Sequence, residues 1–271
     1  MSDPVLWFSA PDASRVELSG GKGASLAAMT AGGFPVPPGF VLHSGVMTAG
    51  LDKEKLLSLA RAADHDGAMA YIREAAKVPA EALTAYDELG GMVAVRSSAA
   101  AEDGEAASYA GQQETFLELT GRDAVEHAIV ECWASFFTER ALFYRQKMGS
   151  LDDLRMAVVV QKMIPAEKAG VMFTVHPVTR RRDRMMIEAV LGLGEQVVSG
   201  EVTPAQYVVD KRGRVKKETV PGDPVLTEEE VATLGGLGQK LANHYGSPQD
   251  VEWAIVGADV YLLQSRPITT L

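Results

Sequence analysis

A β-branched run, Val93-Ala94-Val95, delivers Arg96 to a strand end, and the chain then enters an acidic, small-residue loop before Gly111-Gln-Gln-Glu-Thr-Phe116. Arginine offers a rigid fork of donors, and Ser97, Ser98, Gly104, Ser108 and Gly111 leave backbone amides uncovered, an arrangement suited to holding phosphate oxygens. An edge strand followed by a polar turn is the plainer reading of the same residues. Leu18-Ser19-Gly20-Gly21-Lys22-Gly23 is a second candidate, with an ammonium beside a helix start. It is not a P-loop, because Val16 stands where the first glycine of Gly-x-x-x-x-Gly-Lys belongs and Gly23 follows Lys22. A solvated capping turn is its alternative.

The third candidate is the chain's closing pair of strands, 250 to 255 and 260 to 266. A three-residue turn at Gly257-Ala258-Asp259 sets Glu252 opposite Gln264 and Asp250 opposite Arg266, with Val251, Trp253 and Ile255 on the other face. A carboxylate beside an amide oxygen supplies hard ligands for Mg²⁺, which keeps waters and shares its remaining positions with phosphates. A solvated face with an Asp250 to Arg266 ion pair is the competing reading. A two-residue turn would shift this register.

The elements that must position these residues are mixed. A glycine-rich turn leads into a helix over 24–30, and Phe34-Pro-Val-Pro-Pro-Gly39 forces extended chain before Phe40-Val41-Leu42. Helices are expected over 52–62, 67–77 and 80–88, then the strand at 92–96. One long helix from Asp123 to Lys147 is expected, its apolar face made by Val125, Ile129, Cys132, Trp133, Phe136 and Phe137. Strands follow over 156–163, 169–174, 185–190, 205–210 and 214–218. Thr227 with Glu230 forms a capping box that opens a helix to Tyr245. The Gly149-Ser-Leu-Asp-Asp153 break suggests two lobes, 1–152 and 153–271.

Composition narrows the function. In 271 residues, 46% apolar and 23% charged content is that of a globular chain with a sizeable core. No apolar run approaches a membrane span. The net charge of −10 disfavours nucleic acid and anionic membranes as partners. A single cysteine, Cys132, and an N-terminus without a secretory pattern fit a cytoplasmic location. The five histidines read as structural or solvated, the Arg180 to Arg184 run as a solvated turn, and the strand methionines as packing.

Taken in order, Gly20-Gly-Lys-Gly23, Val36-Pro-Pro-Gly-Phe40, Val95-Arg-Ser-Ser98, Tyr109-Ala-Gly-Gln-Gln-Glu-Thr115 and Phe136-Phe-Thr-Glu-Arg-Ala141 resemble the ATP-binding module of the phosphoenolpyruvate synthase, pyruvate phosphate dikinase and rifampin phosphotransferase family. Val160-Gln-Lys-Met163, Gly170-Val-Met-Phe-Thr174, Gly192-Leu-Gly-Glu195, Asp250-Val-Glu-Trp253 and Gln264-Ser-Arg-Pro267 extend the likeness over nearly the whole chain. The resemblance implies an α+β, two-lobed ATP-grasp-like fold with ATP and Mg²⁺ as ligands. It also implies phosphate contacts from Lys22, Arg96 and Arg266, which would be the catalytic cations, and a cover from Gly111 to Thr115. Gln161 would read adenine, and Glu252 and Gln264 would take metal and phosphate. Phe173-Thr-Val-His-Pro177 departs from the family's Phe-Thr-x-Asp-Pro, so whatever that aspartate does in the family is not carried over, a local turn being the plain expectation for His176.

In the resembled family ATP gives its β-phosphate to a histidine on a mobile domain, AMP and phosphate being the products, and a further domain passes the phosphoryl group to substrate. No carrier-histidine segment is recognisable here, so the implied partners are a carrier-histidine domain or subunit and a separate acceptor-substrate domain. Pyruvate, rifamycins and phenolic compounds are all compatible acceptors. Two alternatives use the same ATP residues: an ATP-grasp ligase that forms an acyl-phosphate and ADP, and a non-catalytic ATP-sensing subunit.

Overall fold

A computed structural model describes residues 3–99, 114–194 and 202–269, and these fall into two compact units. The first contains residues up to 28 together with 38–163; the second contains 29–37 and the chain from 164 onward. The expected division at 152/153 therefore moves to 163/164. The physical reason is the strand after the break, which returns to the first unit's sheet.

That sheet has the order β1-β2-β5-β3-β4, every neighbouring pair antiparallel, from β1 (Val5–Trp7), β2 (Gly39–Leu42), β3 (Val93–Ser98), β4 (Thr115–Leu119) and β5 (Ala157–Lys162). Its side chains alternate between two covered faces. Phe40, Leu42, Val93, Val95, Val158 and Val160 join a core with Leu56, Ile72, Ile129, Trp133 and Phe137, all fully or nearly fully buried. Those partners come from α2 (Lys53–Arg61), α3 (His65–Ala75), α5 (Arg122–Ser135) and, for Phe137, the link that follows α5, with α4 (Ala80–Leu89) and α6 (Glu139–Lys147) completing the layer. The other face carries Val41 and Val159, and α1 (Val16–Ala31) crosses it closely enough that a Cβ on Gly23 would lie 3.0 Å from Val41.

The long helix expected over 123–147 is two helices. Thr138 starts the second by accepting a hydrogen bond at its hydroxyl from the Ala141 amide (3.3 Å), in the manner of an N-cap. Buried Arg145 fixes the corner: its guanidinium lies 3.8 Å from the Phe136 ring centroid and donates to the carbonyls of Phe136, Leu151 and Asp153. Burial pulls its pKa down to about 10, against the opposing pull of Asp153 and Asp152. The turn at 149–153 is thus a clamped corner inside the first unit.

The second unit is an antiparallel sheet in the order β11-β10-β6-β7-β8-β9. Its strands are β6 (Lys168–Phe173), β7 (Arg184–Leu191), β8 (Ala205–Asp210), β9 (Val215–Thr219), β10 (Gln249–Val256) and β11 (Asp259–Pro267). Helix α7 (Glu228–Tyr245) begins at the expected capping box: Thr227 accepts from the Glu230 amide at 3.2 Å, and the Glu230 carboxylate accepts from the Thr227 amide at 2.7 Å. It packs on the face bearing Met172 and Met185, where Gly235 and Gly238 admit the methionine ends. With both sheets antiparallel and the helices gathered in layers, the fold is α+β.

Candidate functional site

In the first unit the geometry starts at Gly20, which interrupts α1 with φ 66° and ψ 178°, backbone reserved for glycine. A Cβ there would meet the Ser98 carbonyl oxygen, so the break is also a close approach to the end of β3. Three hydrogen bonds hold it: Gly21 N–H to Ala99 O (3.0 Å), Gly23 N–H to Ser98 Oγ (3.2 Å) and Ser98 Oγ–H to Ser19 O (2.8 Å). Of the amides read as uncovered, that of Ser97 is already engaged, donating to Glu114 O at 3.1 Å. Lys22 Nζ donates to Ser97 O at 3.0 Å, which brings the ammonium to the strand end that carries Arg96.

Arg96 pairs with Thr115 across β3 and β4, and Ala94 pairs with Gln161 across β3 and β5. Antiparallel partners share a face, so Arg96, Thr115 and Gln161 project to the face that α1 crosses. Thr115 is exposed, Arg96 is half-buried and Gln161 is 3% exposed. The Nε of Arg96 is buried with no hydrogen-bond partner, one of four such side-chain atoms among the described residues. An unmatched guanidinium N–H costs free energy, and an anion that accepts from it recovers that cost. Gly111 lies outside the described residues.

In the second unit the polar row lies on the face away from α7. The hairpin turn has two residues, Gly257 and Ala258, where three were expected. Glu252 nevertheless faces Gln264 and Asp250 faces Arg266, because a β-bulge between Glu252 and Trp253 absorbs Leu263 and restores the register. A buried network on the opposite face secures this end: Gln249 N–H donates to Thr174 Oγ1 at 2.7 Å and Ser265 Oγ–H to Gln249 Oε1 at 2.9 Å.

The Asp250 to Arg266 ion pair of the competing reading does not form. Arg266 turns along its own strand, and with the Gln264 amide oriented to satisfy its surroundings, Gln264 Oε1 accepts from Arg266 Nε and from Arg266 Nη2 (2.6 Å). Burial first and the Glu252 charge second push the Asp250 carboxyl up to about 6, with Arg266 opposing and Glu188 adding to the rise. Glu188 is the member that sequence reasoning missed. It reaches the same face through Val171, which pairs with both Glu188 and Glu252, and it accepts from Gln206 Nε2 at 2.8 Å. A carboxylate inside Met185-Met186-Ile187-Glu188-Ala189-Val190 was the available signal, submerged in a strand read as packing.

His176 performs the local turn role expected of it. Its Nδ1 accepts from Thr179 N–H at 3.4 Å and its carbonyl accepts from Arg180 N–H at 2.8 Å. Among the described residues no group of three or more His, Cys, Asp and Glu side chains could hold a metal ion, and no helix is long and apolar enough to cross a membrane.

Comparison with known proteins first defines the class, a nucleotide-binding domain. More particularly, residues 16–221 and 212–271 match the family described as pyruvate phosphate dikinase, AMP/ATP-binding domain, and the chain belongs to that family. It is 42% identical to the "Probable phosphoenolpyruvate synthase" of Archaeoglobus fulgidus, over 99% of this chain and 42% of that protein. It is 36% identical to the phosphoenolpyruvate synthase of Pyrococcus furiosus, over 98% of this chain and 44% of that protein. The chain thus spans about two fifths of the length of these curated relatives. Among solved structures, D-alanyl-alanine synthetase A of Vibrio cholerae is similar at a TM-score of 0.39 and 13% identity, covering 95% of this chain and 57% of that one.

Proposed function

We propose that this chain is the ATP-binding part of a dikinase-type phosphotransferase. It binds Mg-ATP, and the β-phosphate passes to a histidine carried by another domain or chain, one water being consumed as AMP and phosphate are released. A separate domain would hold the final acceptor, and the protein works in the cytoplasm. The observation that carries this reading is Arg96: a buried Nε without a partner, on a strand end where Lys22 is also tied, in a chain of the AMP/ATP-binding family.

The geometry within each unit supports these roles. Arg96 supplies forked donors to phosphate oxygens and Lys22 a neighbouring point charge, so negative charge spreading over a transferring phosphoryl group meets fixed positive charge. Thr115, beside Arg96, offers a hydroxyl to the same group, and Gln161 supplies an amide to the base. In the second unit Arg266 adds a guanidinium. Glu252, half-buried and with Asp250 two residues away, fits Mg²⁺, which takes one or two carboxylates and completes its shell with water and phosphates. Magnesium there would neutralise part of the polyphosphate charge.

The test is direct. With Mg²⁺ and a carrier-histidine protein, ATP labelled at the β-phosphate should yield labelled phosphohistidine and unlabelled AMP. Accumulation of ADP alone would overturn the proposal.

A further inference from the structure

Ser19 and Gly23 stand at i and i+4 of α1, the spacing at which a regular helix joins its own C=O and N–H. One hydroxyl from β3 reaches both groups: Ser98 Oγ accepts from Gly23 N–H at 3.2 Å and donates to Ser19 O at 2.8 Å. A side chain lodged against the hydrogen-bond ladder is a cause of sharp helix kinks, and the kink here falls at Gly20, between the two residues that Ser98 touches. Lys22 lies in the same bracket. Its ammonium donates to the carbonyl of Ser97, the residue before Ser98. Two consecutive residues of β3 therefore hold Lys22 at both ends, the Ser98 hydroxyl at its backbone and the Ser97 carbonyl at its tip. Lysine is a point charge on a flexible stem, so the resting place of the charge depends on how that backbone is held.

We propose that Ser98 is a positioning residue: its buried hydroxyl keeps α1 bent at Gly20, so that Lys22 is presented at the strand end that carries Arg96. Ser98 meets no phosphate and acts through Lys22. This rests on the reading of the chain as an ATP-binding domain, and deepens it by naming what fixes the spacing of two of its cations.

Ser44 supplies the comparison. It is also buried, and its hydroxyl donates to Glu17 O at 2.6 Å, on the same helix but before the kink. Ser98→Ala and Ser44→Ala each remove one hydroxyl that ties α1 to the rest of its unit, and both should melt a few degrees below wild type. In calorimetric titration of the full chain with Mg-ATP, Ser98→Ala should raise Kd about tenfold, the size of a lost hydrogen bond to a charged group, while Ser44→Ala should stay within about twofold of wild type. Equal weakening by the two variants would overturn the proposal, as would no weakening by Ser98→Ala. A Ser98→Ala chain that does not fold would make the hydroxyl structural and overturn it too.

A double-mutant cycle tests the route through Lys22. Lys22→Met should itself raise Kd about tenfold or more, and adding Ser98→Ala to it should raise Kd by less than about twofold again, because residues acting as one unit are not additive. A second tenfold rise would show that Ser98 acts elsewhere and sink the assignment, and so would a Lys22→Met chain that binds ATP as wild type does. A wild-type chain that binds no ATP would instead bring down the ATP-binding reading itself, and this proposal with it.

Discussion

Lys22 Nζ and the carbonyl oxygen of Ser97 lie 3.0 Å apart, so a glycine-turn ammonium and the Arg96 strand end form one charged corner. Because the Nε of Arg96 has no partner to lose, truncating the side chain removes little that holds the fold. Arg96→Ala should therefore leave the melting temperature within a few degrees of wild type while phosphohistidine formation falls about 10³-fold or more, as for other arginines that stabilise phosphoryl transfer. Thermal melting and single-turnover transfer on the same preparation check this. A parallel collapse of both would make Arg96 structural.

Gly20 sets that corner. Its φ of 66° and ψ of 178° are nearly closed to other residues, and a Cβ would strike the Ser98 carbonyl. Gly20→Ala should cost about 1–3 kcal/mol in backbone strain alone, with further loss from the clash. Gly33 is the control: its φ is also positive, at 72°, but a Cβ there meets nothing within 4 Å. Denaturant unfolding should rank Gly20→Ala well below Gly33→Ala in stability, and only Gly20→Ala should also weaken ATP binding. Equal costs would remove the close approach from the argument.

The hairpin shows how far such relationships can be read in advance. Alternation alone places Asp250 and Glu252 on one face and Val251 and Trp253 on the other, and that patterning is local. The facing of Glu252 and Gln264 was expected from a three-residue turn, yet it arises from a two-residue turn plus a bulge at Leu263. Turn length and bulge are set by packing on both faces, which no window of sequence contains. The same holds for the 123–147 helix: its apolar face is legible, but the break at Thr138 depends on a guanidinium arriving from Arg145. Glu188 joins the polar row only through strand order, and the Gln264 amide is turned by Arg266 two residues on, a contact invisible to composition or period.

Arg145 holds its corner by hydrogen bonds to main-chain carbonyls, at 2.8 Å (Leu151) and 2.7 Å (Asp153). Arg145→Met keeps much of the stem but leaves these buried acceptors unpaired, each costing about 1–3 kcal/mol. The expected loss is about 3 kcal/mol, or on the order of 10 °C in melting temperature for a domain of this size. Arg145→Lys should recover only part, since an ammonium cannot reproduce the planar fork. Full rescue by lysine would show that charge alone holds the turn.

The pair of Arg73 and Glu131 joins α3 to α5 through two hydrogen bonds of 2.7 and 2.8 Å. The Arg73 hydrogen bonds, more than its charge, hold the Glu131 carboxyl below its ordinary value, against the upward push of burial. A carboxylate depressed in the folded state stabilises above its unfolded pKa, about 4.3 for glutamate, and the benefit disappears as pH falls through the folded value. Arg73 is nearly half exposed, so the pair is worth about 1 kcal/mol at most. Glu131→Gln should thus be slightly less stable than wild type at pH 7, with the gap shrinking only below about pH 4.3, where Glu131 of the unfolded wild-type chain begins to take a proton before the folded one does. Urea unfolding of both proteins at pH 7, 5 and 3.5 measures the gap. A difference that persists undiminished at the lowest pH would mean that the glutamate stabilises by packing rather than by its charge.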